Sequence, residues 1–140
     1  DYAHSPDALN FVLEYLKSSY SGQIITIFGC GGERDRSKRK KMGKISEEKP
    51  NFQIITNDNP RNEDPLKIIS EISDGMMSKN YQIILDRKEA IAEGLKKLKS
   101  LDPNSVLLVA GKGHENSQIV KDNEIHFNDL EIINELKDVI

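Results

Sequence analysis

At 140 residues the chain is long enough to bury the core of one domain. Its 36% hydrophobic and 31% charged content describe an ordinary soluble protein with a heavily charged surface, and the net charge of -3 argues against a general nucleic-acid binder, because neutralising phosphates takes a basic excess. A single cysteine excludes an internal disulfide and any demand for an oxidising compartment. No apolar stretch approaches the roughly 20 residues of a membrane span and no signal peptide opens the chain, so a cytoplasmic location is the expectation. The start, Asp1-Tyr2-Ala3-His4, is polar and specific in place of an initiator methionine. The chain is therefore expected to be an excised domain of a longer protein.

Ser5-Pro6 reads as an N-cap followed by proline at the first helical position; Leu9, Val12, Leu13 and Leu16 then recur at helical spacing. Ile24 to Phe28 is a continuous apolar, β-branched run, the signature of a strand buried on both faces, ended by Gly29-Cys30-Gly31-Gly32. A basic helix is expected from about Ser37. Phe52 to Thr56 is the second strand, and Asp64-Pro65 caps a helix carrying Ile68, Ile69, Ile72 and Met76 on its inner face. Gln82 to Leu85 is the third strand, and Asp86 with Glu89 reads as a capping box for a helix bearing Ile91, Leu95 and Leu98. Val106 to Val109 is the fourth strand, ended by Ala110-Gly111-Lys112-Gly113-His114-Glu115.

The alternation then breaks. Gln118-Ile119-Val120 and Glu124 to Phe127 flank Lys121-Asp122-Asn123, which predicts a β-hairpin with at least one antiparallel strand at the sheet edge. Asn128 caps a last helix bearing Ile132, Ile133 and Leu136. The expectation is one α/β domain over residues 1–140, Rossmann-like and three-layered, with right-handed crossovers and a mostly parallel sheet of about six strands including the hairpin.

Three loops follow parallel strands and should emerge on one sheet edge, where ligands of such folds bind. Arg34, Arg36, Asp58, Arg61, Lys112, His114 and Glu115 could converge there. Each piece also has a plainer reading. The Gly29 to Gly32 run reads first as a tight turn and only weakly as a phosphate cradle, lacking the full glycine fingerprint. Gly111-Lys112-Gly113 lacks the hydroxyl residue and upstream glycine of a true phosphate-binding loop. The run Arg34, Arg36, Lys38, Arg39, Lys40 and Lys41 reads first as a solvated helix face and second as a site for RNA or a phosphorylated ligand. Cys30 is a nucleophile only with a base beside it and otherwise a small buried residue. His4, His114 and His126 have no metal-ligand spacing, so no metal site is expected. Asp58 and Asn59 can initiate a turn for which Pro60 is preset, but a turn has no use for Arg61. The residues alone point to a small anionic or zwitterionic ligand.

Five motifs in order carry a resemblance: Asp1 to Leu9, Gly29 to Arg36, Asp58-Asn59-Pro60-Arg61, Asp86-Arg87, and Gly111-Lys112-Gly113-His114-Glu115. Together they resemble the C-terminal domain of the Mur ligases, in the branch that adds meso-diaminopimelate. Glu33 stands where Asp is more usual, and Lys40 where Pro is common.

The resemblance implies a three-domain parent whose N-terminal UDP-sugar domain and central ATPase domain are absent here, so the piece alone should be inactive and should hold no catalytic residue. In such ligases ATP, with Mg²⁺, phosphorylates the D-glutamate carboxylate of UDP-MurNAc-L-Ala-D-Glu, and the amine of the incoming amino acid attacks the acyl phosphate during peptidoglycan precursor synthesis. The C-terminal domain supplies the amino acid and closes over ATP. By resemblance, Asp58, Asn59, Pro60 and Arg61 read diaminopimelate, and Arg34, Gly111 and Glu115 line the same pocket. Asp1 and His4 contact the ATP ribose and adenine, with Lys38 and Arg39 near the phosphates. A monomer is expected, with no nucleic-acid or membrane partner. The alternatives are a lysine-adding relative and a non-catalytic module that binds a zwitterion or nucleotide.

Overall fold

A computed structural model describes residues 1–48 and 51–140. Its elements follow in chain order: α1 (Pro6–Ser19), β1 (Ile24–Phe28), α2 (Ser37–Glu48), β2 (Phe52–Ile55), α3 (Pro65–Ser73), β3 (Tyr81–Ile83), α4 (Arg87–Lys99), β4 (Val106–Val109), β5 (Ser117–Val120), β6 (Asn123–His126) and α5 (Asp129–Leu136). Four helices start on side-chain caps legible in the sequence. Ser5, Asp64, Asp86 and Asn128 accept the backbone N–H of Ala8, Leu66, Glu89 and Glu131, and prolines open α1 and α3. Each such cap satisfies an otherwise orphaned donor and is worth about 1 kcal/mol.

The strands β1 to β4 form one parallel sheet in the order β3-β2-β1-β4. Every residue of β1 is buried, because the sheet is covered on both faces. Alternate side chains of β1 divide between two cores. Ile24 and Phe28 join Leu9, Leu13, Met42 and Ile72 beneath α1, α2 and α3, whereas Ile27 joins Ile91 and Leu95 of α4 and the half-buried Ile132, Ile133 and Leu136 of α5. Among the described residues no helix is long and apolar enough to cross a membrane.

Three sequence readings change. The hairpin forms, but as a separate two-stranded ribbon beside a sheet of four strands. It therefore adds no antiparallel edge strand to a sheet of about six. Its backbone pairs instead with the loop after β2, through a parallel bridge between Arg61 and Val120. The third strand begins at Tyr81, earlier than its apolar run suggests, because the register places Tyr81 opposite Gln53; Ile84 N–H still donates to the Ile55 carbonyl at 3.0 Å. As an edge strand it leaves Ile83 and Leu85 exposed. Helix α3 stops at Ser73, so Met76 reaches the same core from beyond the helix end.

Candidate functional site

The strand order reverses at β1, with β2 and β3 to one side and β4 to the other. The crevice at the carboxyl ends of β1 and β4 is where doubly wound sheets bind ligands. Loops 29–36, 57–64 and 110–116 meet there. Two glycines allow the close approach. A Cβ on Gly32 would lie 1.9 Å from the Pro60 carbonyl oxygen, and Gly111, at φ 109°, would set one 2.8 Å from Asp58 Oδ2. Gly32 N–H also donates to the Asn59 carbonyl at 2.8 Å.

Buried Arg87 fastens two of these strand ends. Its guanidinium donates to the Asn57 carbonyl at 3.1 Å and the Ala110 carbonyl at 3.1 Å, while Nε and Nη2 pair with Asp129 at 2.8 Å each. Neither Glu63 nor Asp129 carries a sequence signal for its role, since their arginine partners, Arg39 and Arg87, are distant in the chain.

The resulting cleft holds about 330 Å³. Arg34, Lys38 and Arg61 bring positive charge to its lining, Asp58 and Glu115 bring negative charge, and Asn59 and His4 add polar side chains. Gly111 and the Gly29 to Gly31 backbone complete the wall. Arg61 adopts φ 52°, a left-handed conformation costly for a side-chain-bearing residue. The hairpin holds it there: Arg61 N–H donates to the Ile119 carbonyl at 3.0 Å and its own carbonyl accepts from Lys121 N–H at 2.7 Å. Its Nη1 donates to the Gly32 carbonyl at 2.8 Å, which lays the guanidinium across Gly31.

Among the described residues Arg34, Lys38 and Arg61 form no ion pair. Asp58 is 9% exposed, and among the described residues no donor reaches its carboxylate. Uncompensated charge of both signs thus faces one small cavity. Burying an unpaired charge such as Asp58 is costly, and the half-buried Arg61 lines the same cavity, so this arrangement suits a ligand carrying both signs.

Of the sequence-derived site residues, Arg34, Asp58, Asn59, Arg61, Gly111, Glu115 and His4 share this cleft. Pro60 is buried behind it and supports the Gly32 contact. Asp1 lies in an adjoining depression with Tyr2 and His114. There its backbone N donates to the Val109 carbonyl at 2.9 Å, and its carbonyl accepts Gly111 N–H at 3.0 Å. Tyr2 bridges the two depressions, edge-on to His4 at 4.6 Å and stacked on His114 at 6.1 Å between ring centroids.

Four expected residues are placed otherwise, Lys112 among them, fully buried and outside the cleft lining. Arg36 turns away to pair with Glu71, and His114 does not line the main cleft. Arg39 is fully buried instead of lying on a solvated helix face. Its guanidinium donates to the Gly31 carbonyl at 3.0 Å and to both Glu63 oxygens at 2.9 and 3.0 Å, and pairs with Glu71 at 2.5 Å. Glu63 also accepts Glu33 N–H at 2.7 Å, and Glu33 accepts Asn62 N–H at 3.0 Å. A helix pattern rich in lysine and arginine hides such a residue, because its carboxylate partners lie on another loop and another helix.

The brace is pH-dependent. The Arg39 hydrogen bonds, followed by the Glu33 N–H, hold the Glu63 carboxyl down at about 2, against an ordinary 4.5. Arg36 and then Arg39 lower that of Glu71. The Glu63 contribution to stability is complete above the unfolded value and is lost as pH falls through about 2. Thermal melts between those limits should therefore show a steeper acid decline for the native chain than for Glu63→Gln; parallel declines would refute the brace. Cys30 is buried with its thiol pushed up to about 12, chiefly by that burial, and contacts Met42 Sδ at 3.7 Å. It is a packing residue, with no thiolate available at neutral pH.

A family model described as "Mur ligase, glutamate ligase domain" matches residues 1–113. A Rickettsia bellii protein named UDP-N-acetylmuramoyl-L-alanyl-D-glutamate–2,6-diaminopimelate ligase is 52% identical over 134 residues, covering 94% of this chain and 28% of its own length. A Clostridium acetobutylicum protein of the same name, numbered 2, is 49% identical over 138 residues, covering 97% and 28%. A solved structure bearing that ligase name superposes with a TM-score of 0.92 at 38% identity, over 99% of this chain and 28% of that one. The chain thus spans 28% of the length of these relatives. By the family model matched across residues 1–113, the chain belongs to the Mur ligase family, as its glutamate ligase domain.

Proposed function

We propose that the chain is the amino-acid-binding C-terminal domain of an ATP-dependent ligase that adds meso-diaminopimelate to UDP-MurNAc-L-Ala-D-Glu. The observation that carries this reading is a cleft in which Arg61 and Asp58, charges of opposite sign, both stand without an ion-pair partner among the described residues. Diaminopimelate ends in a second amino-acid head. Arg61, Arg34 and the Asn59 amide supply donors for its distal carboxylate, and Asp58 and Glu115 accept from its ammonium. Arginine is suited to the first task because its planar fork can grip a carboxylate bidentately.

This chain binds and orients; by holding the distal head it directs the amine of the other amino-acid head toward an acyl phosphate formed elsewhere in the longer protein. ATP supplies the phosphoryl group that activates the acceptor carboxylate. For the nucleotide, His4 offers Nε2, since its Nδ1 is engaged with the Tyr2 carbonyl at 2.8 Å. Tyr2 offers an aromatic face, and Asp1 offers the carboxylate oxygen not taken by Ala3 N–H. Among the described residues no group of three or more His, Cys, Asp or Glu side chains is placed to hold a metal ion.

The discriminating comparison is meso-diaminopimelate against L-lysine, by calorimetry with this chain and by amide ligation with the longer protein. Preference for diaminopimelate by about 10⁴-fold is expected, because lysine leaves the Arg61 guanidinium desolvated and unpaired. Equal turnover of both would sink the specificity, and binding of both without any ligation would favour a non-catalytic module.

A further inference from the structure

Lys112 is fully buried beneath the cleft, an unusual place for a lysine. Its Nζ donates to Asn59 Oδ1 at 3.0 Å and lies 3.4 Å from Glu115 Oε2. The same Asn59 oxygen accepts Ile119 N–H at 3.0 Å. An amide oxygen has two lone pairs, and both are taken by donors fixed in the protein interior. Interchanging the amide oxygen and nitrogen would set an NH₂ group against an ammonium and an N–H, three sets of donors with no acceptor. The orientation of Asn59 is therefore decided by chemistry, with Nδ2 left for the cleft.

We infer that Lys112 is a positioning residue that locks Asn59 as a pure hydrogen-bond donor toward the ligand, and so makes this wall of the cleft selective for a carboxylate. The lock stands on the geometry alone; the identity of the ligand rests on the function proposed above. Lys112 acts on both poles of the cleft at once. It turns the Asn59 donors inward beside Arg61, and its charge holds Glu115, three residues on, at the opposite pole. The bond reaches from the loop after β4 to the loop after β2, so it also ties the two halves of the pocket across the switch point. A free lysine in the cleft would neutralise a ligand carboxylate without regard to direction. A buried one, acting through an amide, specifies where that carboxylate must lie.

The test uses the 140-residue chain, ¹⁵N relaxation of the Asn59 side-chain amide, and titration with meso-diaminopimelate. In the native chain the amide should be as rigid as the backbone, with an order parameter of about 0.85. Lys112→Met, close in shape and without a donor, should keep a native backbone spectrum and drop that order parameter toward about 0.6 or below. It should raise the Kd for meso-diaminopimelate about tenfold or more, the loss expected when a charge-assisted hydrogen bond is no longer preformed. Lys112→Gln, which retains an N–H donor, should keep the amide rigid and lose less affinity. A mobile Asn59 amide in the native chain overturns the inference without any variant, as does an amide equally rigid in folded Lys112→Met. If the native chain binds no diaminopimelate while the amide responds as expected, the ligand assignment falls and the lock is supported.

Discussion

Arg61→Ala is expected, on the function proposed above, to raise the KM of the longer protein for meso-diaminopimelate by at least about two orders of magnitude, with the KM for ATP nearly unchanged. The side chain stands in the cleft with no ion-pair partner among the described residues, and its Nη1 is held by the Gly32 carbonyl. Its removal deletes a cleft guanidinium held by the Gly32 carbonyl on a backbone fixed by the hairpin. The substitution carries a second consequence through the backbone. Arg61 sits at φ 52°, so alanine there keeps the conformational cost while losing the side-chain bond, and a modest drop in stability, on the order of 1 kcal/mol, should accompany the kinetic effect. Arg61→Gly relieves that strain and should lose the same substrate affinity. Steady-state kinetics of the two variants beside their melting temperatures separates recognition from folding. If both retain near-native KM for diaminopimelate, Arg61 does not read the ligand.

Asp129→Ala is expected to cost about 3–5 kcal/mol, a large share of the roughly 5–15 kcal/mol that holds a domain together. Arg87 would then be left buried and charged, with only the Asn57 and Ala110 carbonyls to receive its donors. The melting temperature should fall on the order of 10–20 °C. Arg87→Met combined with Asp129→Leu removes the charges together and should recover much of the loss, because a buried pair is frequently replaceable by apolar residues of similar volume. The double variant should nevertheless bind ligand less well than the native chain. Arg87 is the tie between the strand ends that feed the Asp58 and Gly111 loops, and packing alone does not hold two carbonyls at a set separation. Chemical denaturation of the two variants, read beside ligand titration of the double variant, distinguishes the roles. An Asp129→Ala chain within about 1 kcal/mol of native would show that the pair contributes little.

The elements of the fold were largely open to reading because their signals are local. Ser5-Pro6, Asp64-Pro65, Asp86 and Asn128 each cap the helix expected of them, and the apolar runs of β1, β2 and β4 needed no partner to declare themselves strands. That three loops would meet at one sheet edge followed from alternation alone. The cleft does gather Arg34, Asp58, Asn59, Arg61, Gly111 and Glu115.

What the residue string determined, then, was the order of elements, the edge of the sheet that carries the loops, and the kinds of charge those loops bring. Pairings between distant segments were decided only in three dimensions. Arg39 looked like one cation in a run of six, yet it meets carboxylates from another loop and another helix and is fully buried. Lys112 looked like a fragment of a phosphate loop, and its meaning came from an asparagine 53 positions away. The hairpin was visible as two short strands, but local pattern says nothing of which edge a ribbon will choose, and it joined the loop bearing Arg61 instead of the sheet. Periodicity and capping are properties of neighbours along the chain, whereas the compensation of a buried charge depends on groups the fold brings from elsewhere.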